Sequence, residues 1–422
     1  SIPGKRERCR STQLMSSSPR VVIAGGGAAG FFAALACAEA NPRATVQIFE
    51  RSPDVLAKVR VSGGGRCNVT HACFDPAELV KNYPRGAREL LGPFHRFQPR
   101  DTVAWFEERS VTLKTEDDGR MFPVTDSSQT IIDCLMKEAA RLNVKVRTGC
   151  GIAEILKKDK AFNVYLTEDG TVECDRLLLA TGGSRGIKGH GLAESLGHTI
   201  TPLAPSLFTF HIEDPRLRGL AGISVPNARA KVAGTPLDES GPLLITHWGL
   251  SGPCILRASA WGARVLAEKD YKFNLQIQWL ADCDHKQAAA MFQDARKHHS
   301  RKHVALWSPM GLPQRLWERL VTAVGIDEAK TWNTLSKQEA ELLAREVCSG
   351  EYKVTSKSMF KEEFVTCGGV TLKEVDFRTM ESRVCPGLHL AGEVLDIDAI
   401  TGGFNFQAAW TTGWIAGNAM GV

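Results

Sequence analysis

The fold is decided by Val21-Val22-Ile23-Ala24-Gly25-Gly26-Gly27-Ala28-Ala29-Gly30. Four apolar residues in an unbroken run predict a short buried strand. The glycines that follow satisfy G-x-G-x-x-G. In that pattern Gly25 allows a sharp turn, Gly27 lets backbone approach a diphosphate, and Gly30 lets the next helix lie close on the strand. A helix is expected over 31–40, and its N-terminus offers free N–H groups and a positive dipole end to phosphates. A second strand is expected over 44–49. It ends at Glu50, about 20 residues past the last glycine, where a carboxylate grips a ribose diol. Strand, turn, helix, strand and acid in register predict a dinucleotide site.

The turn alone does not separate NAD from FAD. Three later segments favour FAD. Arg60-Val61-Ser62-Gly63-Gly64-Gly65-Arg66-Cys67-Asn68 follows the acid, and such a glycine run lets backbone lie flat against a ring or a phosphate. Leu177-Leu178-Leu179-Ala180-Thr181-Gly182-Gly183 reads as a buried strand returning to the cofactor at a glycine turn. The tail carries Leu390-Ala391-Gly392-Glu393 and then Thr401-Gly402-Gly403-Phe404-Asn405-Phe406-Gln407. There a second helix N-terminus would stabilise negative charge growing on a flavin. The plainer reading of the tail is a glycine-rich loop that only packs the fold.

Outward from these segments the pattern is mixed α/β. Helices are expected over 101–109 and 126–142, the second with Asp126 and Gln129 at capping-box spacing. Short strands are expected over 151–156, 162–166 and 176–180. After residue 202 turn residues recur at short intervals between alternating apolar segments, a β-rich pattern. From 285 the pattern turns helical, with Pro313 at a helix start and Ser336 with Glu339 as another capping box. The expected organisation is therefore an FAD-binding domain split into 20–201 and 354–422, a β-rich insertion over 202–284 and a helical subdomain over 285–353. Residues 1–19 read as a disordered leader or the remnant of a transit peptide, since residues 1–20 set five basic residues against Glu7.

The chain of 422 residues has net charge +5, which permits an anionic partner such as RNA without requiring one. None of its 12 cysteines stands in a C-x-x-C pair, so zinc and dithiol-disulfide chemistry are disfavoured and no metal is expected. The uncharged run 21–38 is broken by the glycines, which argues for strand, turn and helix rather than a membrane span. A cytoplasmic or organellar (plastid or mitochondrial) location fits this pattern.

At these residues the sequence resembles the BaiN/RdsA family of NAD(P)/FAD-dependent oxidoreductases. The matching segments are 25–30, 58–68, 181–183, the block Gly241-Pro242-Leu243-Leu244-Ile245-Thr246-His247-Trp248-Gly249-Leu250-Ser251-Gly252-Pro253, the segment 366–370 and the tail 386–417. The resemblance runs from about residue 20 to the end. It implies a two-part Rossmann-like FAD domain with an inserted β-barrel-like domain and a small helical subdomain. It also implies reduction of an activated C=C bond, in a small enone-like metabolite or in a uridine of large-subunit rRNA. Trp248 and Cys254 depart from the family's usual pattern, which bears on the substrate rather than on FAD.

The expected cofactor contacts are Gly25, Gly27, Ala28, Ala29, Gly30, Glu50, Arg51, Lys58, Ser62, Gly63, Gly64, Gly65, Arg66, Cys67, Asn68, Ala180, Thr181, Gly182, Gly392, Glu393, Gly402, Gly403, Asn405 and Gln407. Cys67 and His247 are candidate proton donors. Each has a plainer reading, as a packed thiol and as a bend-capping histidine. Lys58 and Arg66 suit FAD phosphates or a flavin anion, or serve as surface charges. Asn405 and Gln407 suit the flavin edge, or cap a helix. The basic run 296–303 can meet RNA phosphates or simply be a solvated helix end. With no second full G-x-G-x-x-G, the electron donor, NAD(P)H among the candidates, docks directly at the flavin or the electrons come from elsewhere. An oxidase or dehydrogenase of an amine or alcohol, and a structural use of FAD, are the competing classes.

Overall fold

The computed structural model describes residues 18–183, 188–358 and 365–422. The expected leader lies, over 1–17, outside the described residues.

The opening stretch forms the strand Arg20–Ala24 and the helix Ala28–Ala40, followed by the strand Thr45–Phe49. Arg20–Ala24 is central in a parallel sheet, with Thr45–Phe49 and Lys145–Arg147 on one side and Arg176–Leu179 and Leu388–Leu390 on the other. Two short antiparallel strands, Val375–Asp376 and Glu381–Ser382, extend it beyond Leu388–Leu390. The chain leaves the central strand in both directions, so a crevice opens at its carboxyl end, where ligands bind in doubly wound sheets.

The C-terminal helix Phe404–Met420 packs on Ala28–Ala40 through glycines. A Cβ on Gly413 would sit 2.5 Å from the Ala29 carbonyl oxygen, and one on Gly417 would sit 2.2 Å from that of Ala33. The two helices therefore run parallel at backbone contact. The C-terminal helix begins nine residues before Gly413. At about 1.5 Å per residue, its N-terminus projects roughly 12 Å beyond that of the first helix.

The second sheet is antiparallel and seven-stranded, running Gly350–Val354, Phe273–Gln278, Ser224–Val232, Asp238–Thr246, Gly249–Ser251, Thr209–His211, Ser356–Ser358. Its two edge strands are consecutive in the chain, separated by Thr355 alone. The sheet must therefore curl until its edges meet. No ladder joins those edges among the described residues, so the curl is barrel-like without being closed by hydrogen bonds.

The expected boundary at 354 moves outward, because 350–354 and 356–358 belong to this second sheet. The expected split at 284/285 also changes. Phe292, Trp317, Trp332 and Leu343, from the helical stretch, share one buried cluster with Leu275, Ile277 and Trp279 from the sheet. Helices and sheet bury one another's apolar faces and form a single inserted unit. The cofactor unit has its own core. Between the two lies an antiparallel ribbon of Ile200–Ser206 and Val365–Val370. The expected boundary at 202 falls inside this ribbon.

One ion pair and a bridging arginine clamp the insertion to the cofactor unit. Arg264 holds Asp396 through both carboxylate oxygens, at 2.9 and 2.7 Å. Arg85 makes a bidentate pair with fully buried Asp398 and also donates to the Ala260 carbonyl. Ser206 donates to the same carboxylate at 2.8 Å.

One capping expectation is corrected. The helix Ser128–Arg141 is capped by Ser127, whose hydroxyl accepts from the Gln129 amide. Asp126 instead pairs with Lys114. The box at Ser336 and Glu339 forms as the spacing predicts.

Candidate active site

A cavity of about 1070 Å³ lies at the crevice, at the upper end of the roughly 300–1,000 Å³ usual for small-molecule sites. Gly25 to Ala29 form its floor, Glu50 and Arg51 one end, and Gly392, Gly402, Gly403 and Phe406 the other. Its far wall comes from the insertion: Leu207, Thr209, Leu244, Thr246, Ser251 and Leu256.

The glycine geometry explains the cradle. Gly25 has φ +109°, and a Cβ there would lie 2.3 Å from the Ala180 carbonyl oxygen. A Cβ on Gly30 would lie 2.0 Å from the Gly25 carbonyl oxygen. Both positions are needed to bring strand, turn and helix together. Gly27 differs, because a Cβ there meets no protein atom within 4 Å. Its missing side chain leaves space for a ligand. Ala28, Ala29, Ala180, Thr181 and Gly182 also border the cavity.

Glu50 is held rigidly, accepting from the amides of Gly26 and Ser52, each at 2.8 Å. Lys58 borders the cavity and pairs with Glu393, whose other oxygen accepts from the Thr366 amide at 2.7 Å. Asn68 ties the glycine run to the tail: its amide accepts from Gly403 N at 2.9 Å and donates to the Thr70 carbonyl at 3.1 Å. Ser62, Gly63 and Asn68 border the cavity.

Several expected contacts lie elsewhere. Gln407 is fully buried and turns away, accepting from Thr70 at 2.6 Å and Thr102 at 2.9 Å. Asn405 borders the cavity, but both ends of its amide are spent on the Ala399 backbone, so it braces the 392–403 segment. Arg66 stacks on Phe122 and pairs with Glu116 at 2.6 Å. Gly64 and Gly65 supply positive φ without reaching the cavity.

Both candidate proton donors are also displaced. Cys67 is wholly buried outside the cavity, and burial pushes its thiol up to about 12. A thiol so placed stays neutral and has no path to a substrate. His247 sits exposed on the turn between Asp238–Thr246 and Gly249–Ser251 and does not border the cavity, although Thr246 and Ser251 beside it do. The basic residues Arg301, Lys302 and His303 are exposed on the insertion, away from the cavity.

Sequence reasoning missed His190, Arg120, Thr209 and Ser251, all of which border the cavity. His190 is 3% exposed, and burial lowers its pKa against the pull of nearby Glu393. Its Nε2 and the hydroxyl of Thr181 are buried without a hydrogen-bond partner among the described residues. Ser251 stood inside a block already singled out, but nothing in its spacing marked it above its neighbours. Among the described residues no three metal-ligating side chains converge, and no helix is long and apolar enough to cross a membrane.

Comparisons with known proteins fit this geometry. The family model described as HI0933-like protein Rossmann domain matches residues 19–419. A ribosomal RNA dihydrouridine synthase of Escherichia coli (strain K12) is 30% identical over 407 residues, covering 93% of this chain and 96% of that protein. A 3-dehydro-bile acid delta(4,6)-reductase of Clostridium scindens is 30% identical over 409 residues, covering 95% of this chain and 98% of that protein. A second ribosomal RNA dihydrouridine synthase, of Haemophilus influenzae, is 28% identical over 412 residues, covering 95% and 98%. The match spans both walls of the cavity, and the chain belongs to the HI0933-like Rossmann family, the BaiN/RdsA family that its glycine and Thr246-to-Pro253 blocks resemble.

Proposed function

We propose that this protein is an FAD-dependent reductase that delivers hydride to an activated C=C bond, in an enone-like metabolite or in a uridine of large-subunit rRNA. One observation carries the reading: a single cavity joins the dinucleotide turn to the side chains of the insertion. A cofactor on the glycine floor and a substrate under the insertion would share one enclosed space.

The staggered helices favour FAD over NAD. The first helix N-terminus stands at the diphosphate turn, and the C-terminal helix begins roughly 12 Å further on. That offset suits a diphosphate joined to a ring system by a five-carbon chain. In this reading Gly25, Gly27 and Ala28 hold the diphosphate, Glu50 the ribose of the adenosine, and Gly402 and Gly403 lie along the ring. FAD, when bound, supplies the hydride. The first-turn amides of Phe404–Met420 offer partial positive charge to an anionic ring. NAD(P)H would reload the site by docking in the same cavity. The basic residues within 1–20 suit an organellar address as well as a cytoplasmic leader.

The test is direct. Purified protein should be yellow, lose its flavin absorbance with NADPH under anaerobic conditions, and regain it on adding an enone or a uridine-containing rRNA fragment. Regain only with oxygen, with release of peroxide, would replace the reading by an oxidase. A folded sample that stays colourless in excess FAD would end it.

A further inference from the structure

We infer that Ser251, polarised by Thr209, donates the hydrogen bond that holds the substrate carbonyl and carries the negative charge that develops on it. The inference rests on the C=C reductase reading above and adds a residue to it.

Thr209 and Ser251 face each other across neighbouring antiparallel strands, one position beyond the pair Phe210 and Leu250. Both border the cavity. The Thr209 hydroxyl donates to the Ser251 hydroxyl at 3.0 Å. Two hydroxyls carry two protons, and their mutual bond uses one. The other has no acceptor among the described residues. Thr209 is only 5% exposed, whereas Ser251 is the more open of the two, so the spare proton belongs on the side of Ser251. A hydroxyl that already accepts a hydrogen bond donates more strongly.

The surroundings fix this donor. Gly252 follows with φ +89°, and a Cβ there would lie 2.9 Å from the Leu244 amide and the Pro242 carbonyl. The strand end is therefore locked against its neighbour. The helix Pro253–Trp261 starts immediately afterwards and adds a positive dipole end beside the hydroxyl. Leu207, Leu244 and Leu256 supply apolar wall around the pair. One hydrogen-bond donor in an apolar wall suits a flat conjugated carbonyl, the group shared by an enone and the C4 carbonyl of uridine.

The chemistry balances as follows. A hydride from bound, reduced FAD, a proton with two electrons, would form the new C–H bond at the carbon β to the carbonyl and leave the cofactor oxidised. The C=C pair shifts to the bond between the α carbon and the carbonyl carbon, and the carbonyl pair moves onto oxygen. The oxygen becomes anionic and is held by Ser251. A proton from water then reaches the α carbon and restores the carbonyl. A donor aimed at an oxyanion contributes roughly 100- to 1,000-fold to rate.

The test uses the FAD-loaded protein and para-chlorophenol, whose phenolate mimics the anionic oxygen on a flat ring. Phenolate titration should give a long-wavelength charge-transfer band in the parent protein. Ser251→Ala should weaken phenolate binding at least tenfold, Thr209→Val should weaken it less, and Ser251→Thr should recover it, with FAD affinity unchanged in all three. Enone turnover by Ser251→Ala should fall by roughly 100-fold or more in kcat. Equal phenolate affinity in the parent and Ser251→Ala, or no phenolate binding by the parent, overturns the assignment of Ser251 and leaves the reductase reading standing. A parent protein that binds phenolate through Ser251 but passes hydride to no enone or uridine overturns the reductase reading instead.

Discussion

The two walls of the cavity are built on different principles. The cofactor wall is mostly backbone: glycines at 25, 30, 413 and 417 bring main chains to within contact, and Gly27 leaves an open bay. The insertion wall is side chain: three leucines and three hydroxyl residues on curled antiparallel strands and a helix. Backbone recognition tolerates almost no residue but glycine, whereas side-chain recognition can be rewritten by ordinary substitutions. The same framework can therefore hold one cofactor while its substrate changes.

Four substitutions would break or sharpen that contrast. The largest effect is expected where the walls are joined. Arg85→Met should destabilise the protein by roughly 3–5 kcal/mol, because it leaves a buried carboxylate without its partner. Burial already pushes the Asp398 carboxyl up, against the pull of Arg85. Chemical denaturation measures the loss, and a loss below 1 kcal/mol would mean that the walls are held by other contacts. Next, Gly417→Val should cost about 3 kcal/mol by forcing the two helices apart, read as a lowered unfolding temperature in the presence and absence of FAD. Gly27→Val should behave differently. A Cβ there meets no protein atom within 4 Å, so the unfolding temperature of the apoprotein should hold while FAD affinity falls at least 100-fold, about 2.7 kcal/mol. Equal FAD content in Gly27→Val and the parent would remove the diphosphate from this turn.

The smallest effect lies far from the cavity, in the insertion. Lys330, and then the Ser336 amide, hold the Glu339 carboxyl down to about 2 from its usual 4.5. A carboxyl depressed in the folded state contributes stability above pH 4.5 and loses it as pH falls toward 2. Glu339→Gln should flatten that part of the stability curve by less than about 1 kcal/mol. Urea midpoints at pH 6 and pH 3 check it.

The same contrast explains what could be read from the chain beforehand. The turn at 25–30 and the acid at 50 were legible because a glycine turn between a strand and a helix start admits few backbone solutions. The C-terminal glycines at 402 and 403 stood out as a glycine pair before a second helix start, and they too border the cavity. Gln407 was misread because its neighbours Thr70 and Thr102, which claim its amide, lie about 300 positions away in the chain. Cys67 takes the plainer of its two readings, a packed thiol, because a residue inside a cofactor motif need not face the cofactor. The spacing of 413, 417 and 421 was available and went unused. It marks a helix face without side chains, and Ala29, Ala33 and Cys37 are what it meets. The pairing of Thr209 with Ser251 depends on strand register within the insertion, which alternation alone does not set.

The position of the glycine-faced helix in the chain has a consequence for biosynthesis. Residues 404–420 are made more than 360 residues after the helix they cover. Until they arrive, the backbone of Ala29 and Ala33 lacks its cover, and the cofactor has only half of its bed. Assembly of this unit is therefore slow by the standards of locally connected folds. Nascent chains of this protein should depend on chaperones that shield apolar surface until that helix docks.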